Sequence, residues 1–116
     1  MHRDATNSNG WGERKPRTPK ERRSMSKKCF LITTPKRNYP ICANGTDRID
    51  CVGLIATNQR ANLILRDPRK KRPEAIQKAK IARDLSEEIG KKHRCSYFLR
   101  KAKKPSKKSK TISRFG

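Results

Sequence analysis

The sequence predicts a small, mainly α-helical domain. It has a short N-terminal helix, a cysteine-bounded loop and an antiparallel helical hairpin, with extended basic arms at both ends. Three observations predict this. Helix-period apolar spacing recurs in two segments, about 51–66 and 73–90. Four cysteines, Cys29, Cys42, Cys51 and Cys95, all fall between Met25 and Leu99, where the usable apolar pattern lies. Only 31% of the 116 residues are hydrophobic, 36% are charged, and the formal net charge is +22. Such a balance leaves too little to bury for folding by burial alone. A core of about half this length is marginal without staples. The chain therefore divides into an arm (1–17), a cysteine-stapled helical core (18–99) and a basic C-terminal tail (100–116).

The arm is polar and rich in Gly and Asn, and Trp11 is its one aromatic anchor for a partner. No apolar stretch follows Met1, so no signal peptide is expected. No segment approaches the ~18 apolar residues of a membrane span, so a cytosolic product is expected.

"TPKERRSMSKK" opens the core. Thr18 can cap a helix, Pro19 suits its first position, and Glu21 completes a capping box. A short basic helix over about 19–28 follows, with Met25 and Cys29 on one face. Residues 29–49 read as loop or short β structure, with turns at Pro35, Pro40 and Asn44–Gly45. Phe30, Leu31, Ile32, Tyr39 and Ile41 make an apolar knot between Cys29 and Cys42. "NGT" at Asn44 is a glycosylation sequon, but a tight turn is the simpler reading.

Asp50 is the expected N-cap of a helix that stops at Asp67–Pro68, with Leu54, Ala61 and Leu65 on one face. A β-hairpin turning at "NQRA" competes, because "CVGLIA" and "NLILR" both suit strands. Helix is preferred. The second helix starts at Pro73 and Glu74 and is expected to end at Gly90. Its stripe is Ala75, Ala82, Leu85 and Ile89, widened by Ile76, Ala79 and Ile81. From Lys91 onward there is no acid, and "CSYFL" and Phe115 read as anchors into a neighbour.

The cysteines admit three readings. Zinc needs four ligands, usually in close pairs, and no close pair exists here, although His93 lies near Cys95. Free buried thiols suit a cytosolic chain. Two disulfides suit a chain short of apolar residues, at about 2–4 kcal/mol each. An antiparallel hairpin of two helices, rising ~23 Å and descending ~27 Å at 1.5 Å per residue, returns Cys95 to Cys51. Cys29 and Cys42 then close the apolar loop. No cofactor is expected on this reading; zinc is the alternative.

A net charge of +22 makes an anionic partner the natural expectation. Its candidate contacts are Arg69, Lys70, Lys71 and Arg72 in the interhelical loop, with Arg100, Lys101, Lys103 and Lys104 entering the tail. Lys107, Lys108, Lys110 and Arg114 continue it. Ordering such a tail costs roughly 1–2 kcal/mol per residue with almost nothing to bury, so a partner must hold it. Nothing matches an RRM, KH or C2H2 pattern. Catalysis is not expected: His2 and His93 are the only histidines, Glu87 and Glu88 point to different sides of a helix, and no Gly-rich phosphate loop exists. No small-molecule substrate is expected either.

"GWGERKPRTPKERRSMSKKCFL" at 10–31, "YPIC" at 39–42, "IDCVG" at 49–53 and "RCSYF" at 94–98 occur in an order that resembles a family of small, basic, cysteine-containing proteins of giant viruses, the large double-stranded DNA viruses. The resemblance spans roughly residues 10–98. It places the family cysteines on Cys29, Cys42, Cys51 and Cys95. The chain departs from it at Met25 and near Asp47, where relatives often carry further cysteines, and in the less Ala/Arg-rich "ATNQRANLILRD". The resemblance implies a virion protein made in host cytoplasm, in viruses that commonly encode thiol oxidases. The leading expectation is a minor capsid protein or linker whose partners are capsid or other virion proteins. A DNA-packaging protein is the alternative, followed by a ribosomal or ribonucleoprotein component.

Overall fold

A computed structural model describes residues 5–33 and 36–103. It shows a small, mainly helical fold in which a two-stranded hairpin and a packed helix pair meet around two disulfides.

The N-terminal part is more structured than expected. Residues Trp11–Arg14 form a helical turn, α1, and both Trp11 and Pro16 are buried. This stretch of the expected extended arm therefore belongs to the folded body. Trp11 packs against Gly53, where an added Cβ would stand 2.7 Å from the indole ring. Its anchoring role is within its own chain.

Helix α2, Pro19–Arg23, carries the expected capping box. Thr18 Oγ1 accepts from the Glu21 N–H at 3.1 Å, and Glu21 Oε1 accepts from the N–H groups of Arg17 and Thr18 at 2.8 and 3.1 Å. The helix ends earlier than residue 28. The Arg37 guanidinium donates to the carbonyls of Arg22, Arg23 and Met25 and so satisfies its open end. A separate 3-10 turn, Lys27–Cys29, then carries Cys29 into the core beside Met25.

Strands β1 (Phe30–Ile32) and β2 (Asn38–Pro40) pair antiparallel, with Phe30 opposite Pro40 and Ile32 opposite Asn38. Just outside them Cys29 and Cys42 form a disulfide with Cα atoms 5.1 Å apart. The Ile41 N–H donates to the Cys29 carbonyl at 2.8 Å and tightens the same end. The expected turn at Pro35 lies outside the described residues.

Helix α3, Cys51–Arg66, replaces the competing β-hairpin. Asp50 caps it as expected, its Oδ1 accepting from the Val52 N–H at 2.8 Å. The first half of α3 is buried nearly all round, from Cys51 through Ile55, because β structure and α1 cover one side and the next helix covers the other. That also explains why its sequence resembled a strand: a helix buried on all faces loses its amphipathic period.

Helix α4, Pro73–Lys92, lies antiparallel against α3 and runs past Gly90. Its buried seam is Ala79, Ala82, Ser86 and Gly90. Ala79, Ala82 and Ser86 are small, which lets α4 approach α3 closely, and Gly90 leaves room for the Phe98 ring. The expected stripe is thus rotated: Ile81 is exposed, and Leu85 and Ile89 flank the seam half-buried.

Gly90 does not end α4. The stop comes at Arg94, which takes the left-handed conformation at φ 59. The Cys95 N–H returns to the Gly90 carbonyl at 2.9 Å and the Arg94 N–H to the Lys91 carbonyl at 3.0 Å, the two bonds of a Schellman close. The chain then forms α5, Ser96–Lys103, so the expected core–tail boundary at 99/100 falls inside a helix. Phe98 is fully buried, its ring lying over Gly90, rather than anchoring in a neighbour.

The main core joins Met25, Phe30, Ile41, Leu54, Ile55 and Phe98 around all four cysteines. Cys51 and Cys95 form the second disulfide, with Cα atoms 5.8 Å apart. Among the described residues no helix is long and apolar enough to cross a membrane.

Candidate anion-binding surfaces

Both disulfides have the expected pairing, and together they use all four sulfurs. The free-thiol and zinc–thiolate readings give way to them. Among the described residues no three His, Cys, Asp or Glu side chains group as a metal site would require.

The interhelical loop lies at the far end of the α3–α4 hairpin from the Cys51–Cys95 bridge. Arg69, Lys71 and Arg72 are exposed there. Arg69 reaches Asp67 at 3.9 Å, with its side chain 91% exposed. A pair so open to water adds little stability and leaves the arginine accessible. Lys70 belongs to the same short 3-10 turn, Pro68–Lys70. At the opposite end, Arg100, Lys101 and Lys103 lie on α5. Lys104, Lys107, Lys108, Lys110, Arg114 and Phe115 lie outside the described residues. A 20-residue α4 separates the two basic ends by about 30 Å at 1.5 Å per residue.

The fold also makes a basic cleft that the sequence did not announce. Its volume is about 600 Å³. Trp11 and Lys15 from the α1 region, Arg22 from α2, and Asn38 and Tyr39 from β2 form one side. Thr57, Arg60 and Ile64 of α3 and Glu74, Ala75 and Lys78 of α4 form the other. Four cations and one carboxylate thus border one concavity.

Arg22 is the best-fixed of these groups. Its Nε donates to the Pro16 carbonyl at 3.1 Å, and its Nη1 donates to the Arg37 carbonyl at 2.9 Å and Asn38 Oδ1 at 3.5 Å. All of these acceptors are neutral. Partial burial holds its pKa below the ordinary arginine value, because no facing carboxylate offsets the lost hydration. It remains a cation at neutral pH. Among the described residues, the charged groups of Lys15, Arg60 and Lys78 make no hydrogen bond or ion pair. Glu74 borders the same space without pairing to any of them.

Tyr39 holds φ at 59, in the left-handed region that a bulky residue rarely adopts. Burial raises its phenol pKa, and the charge of Arg60 partly opposes that shift. The phenol is therefore a neutral hydrogen-bond donor at neutral pH. The conformation is unusual for sequence reasons too, since Tyr39 precedes Pro40 and a pre-proline residue favours negative φ.

Sequence reading missed this cleft because its cations come from four separate elements. Only a local trace was available: Glu74 and Lys78 share a helical face at i, i+4, as do Arg60 and Ile64. Nothing in the spacing says that these faces meet.

Comparison with protein-family models, with curated protein sequences and with solved structures finds no match to this chain.

Proposed function

We propose that this chain is a non-enzymatic structural protein of a virion, a minor capsid protein or linker whose basic surfaces hold acidic neighbours in the assembly. The single observation that carries the reading is the separation of two basic regions across a helix pair closed by the Cys51–Cys95 disulfide. The interhelical loop sits at one end and the α5 tail at the other. A rigid body with cationic ends suits bridging two anionic surfaces, and the net charge of +22 suits electrostatic docking. The resemblance to giant-virus proteins supports the virion as its place. It also supplies a source for the bridges, because disulfides in a protein made in host cytoplasm need a dedicated oxidising route.

The test is cross-linking mass spectrometry on intact particles with amine- and carboxylate-reactive reagents. Links from Lys71 and from Lys101 or Lys103 to acidic residues of two different neighbouring proteins are the expected result. Cross-links to DNA alone would replace this reading with packaging. Co-purification with ribosomes or another RNA particle would replace it with a ribonucleoprotein role.

A further inference from the structure

We propose that the cleft between α1, α2, β2, α3 and α4 is a binding site for a phosphate-bearing ligand of about mononucleotide size. Arg22, Arg60, Lys15 and Lys78 would hold the phosphates, and Tyr39 would contact the remainder. This site is separate from the basic loop and tail assigned to assembly contacts, and it stands or falls without them.

Several observations converge on it. The volume, about 600 Å³, falls in the range of small-molecule pockets. Four cations against the single carboxylate of Glu74 leave a local excess of three positive charges. A multiply charged phosphate group balances that excess in a small volume, and a lone carboxylate does not. Arg22 is already oriented by its bonds to Pro16, Arg37 and Asn38. A partly buried guanidinium facing only neutral acceptors gains much from an incoming anion, because part of its hydration has already been lost. Among the described residues, Lys15, Arg60 and Lys78 have no ion pair to give up. Tyr39 supplies a neutral phenol donor and an aromatic edge from a left-handed backbone position. Backbone strain of this kind collects at ligand contacts.

Trp11 is the only tryptophan of the chain and lines the cleft, so its fluorescence reports on this site. The experiment titrates the oxidised full-length chain at about 0.15 M salt, where non-specific charge binding is screened. The probes are inorganic tripolyphosphate, ATP, and a short thymidine oligonucleotide with and without a 5′-phosphate. The paired variant is Arg60→Ala with Lys78→Ala. Neither side chain bonds to another described residue, and circular dichroism checks that the helices are kept. The control is Lys91→Ala with Lys92→Ala, two exposed lysines outside the cleft.

Saturable change in Trp11 emission is expected, with affinity weakened about tenfold or more in the cleft variant and within about twofold in the control. Binding of tripolyphosphate and ATP without the oligonucleotides identifies a free nucleotide as the source. Preference for the 5′-phosphorylated oligonucleotide identifies a nucleic-acid end. Equal weakening by both variants would overturn the proposal, since charge alone would then explain binding. So would a polyglutamate peptide competing as well as ATP, or no emission change with any probe.

Discussion

The side-chain amide of Asn58 in α3 donates to Ser86 Oγ in α4 at 3.0 Å, and both residues are fully buried. Asn58 Nδ2 also reaches Glu87 Oε2 at 3.3 Å, and its Oδ1 accepts from Asn62 Nδ2 at 3.1 Å. Ser86 in turn donates to the Arg83 carbonyl at 2.9 Å. A satisfied polar group inside the helix seam fixes the sliding register of α3 on α4, because any shift strands a buried donor. Replacing Asn58 with Ala is expected to destabilise the fold by about 2–3 kcal/mol, the cost of the lost bonds and of the buried partners left behind. Urea unfolding of the oxidised chain measures it. Asn58→Asp is expected to be worse, since it places a buried charge beside Glu87.

Gly90 is expected to tolerate no side chain. A Cβ there would collide with the Phe98 ring. Gly90→Ala should destabilise by about 2–3 kcal/mol through overpacking, despite alanine being the better helix former. Phe98→Leu in the same chain should recover part of that loss. Thermal melts of the two single variants and the double variant give the coupling.

Arg94→Gly is expected to stabilise the chain by up to about 1 kcal/mol. The residue sits at φ 59, where a side chain is strained and glycine is not. The gain is reduced by glycine's greater freedom in the unfolded chain. The midpoint of denaturant unfolding checks the sign.

Glu21 gives the fold a specific acid sensitivity. Hydrogen bonds from the Arg17 and Thr18 N–H groups hold its pKa below the ordinary carboxylate value. A depressed carboxylate contributes stability that is fully present above its unfolded pKa, about 4.3, and is lost as pH falls through the lower folded value. Nuclear magnetic resonance of the α2 amides from about pH 6 to about pH 2 should show the cap loosening only below the ordinary carboxylate range. Glu21→Gln should remove that transition.

Local chemistry was legible in the sequence wherever two or three neighbouring residues decide the outcome. The Thr18–Glu21 box, the Asp50 cap and the Pro73 start all stand where spacing placed them. The cysteine pairing was legible because an antiparallel hairpin has only one way to return. Three features were not. The seam of α4 is built from Ala79, Ala82, Ser86 and Gly90, and small residues give a weak hydrophobic signal however closely they pack. Gly90 looked like a stop because glycine usually ends helices, while Arg94 fills that position at a steric cost. Trp11 looked like a partner anchor because nothing near it in sequence is apolar; it packs instead against Gly53 of α3, far away in the chain.

In this fold covalent staples stand in for a larger core. The bridges close separations of 13 and 44 residues. On the chain-entropy scale these are worth about 3 and about 4 kcal/mol. The direct measurement is urea unfolding of the full-length chain, oxidised and then fully reduced and alkylated, followed by helical circular dichroism. A cooperative transition is expected in the oxidised chain and little or none in the reduced one. Cys51→Ser with Cys95→Ser should cost about 1 kcal/mol more than Cys29→Ser with Cys42→Ser. A reduced chain that unfolds cooperatively at the same midpoint as the oxidised chain would show that the bridges do not hold the fold.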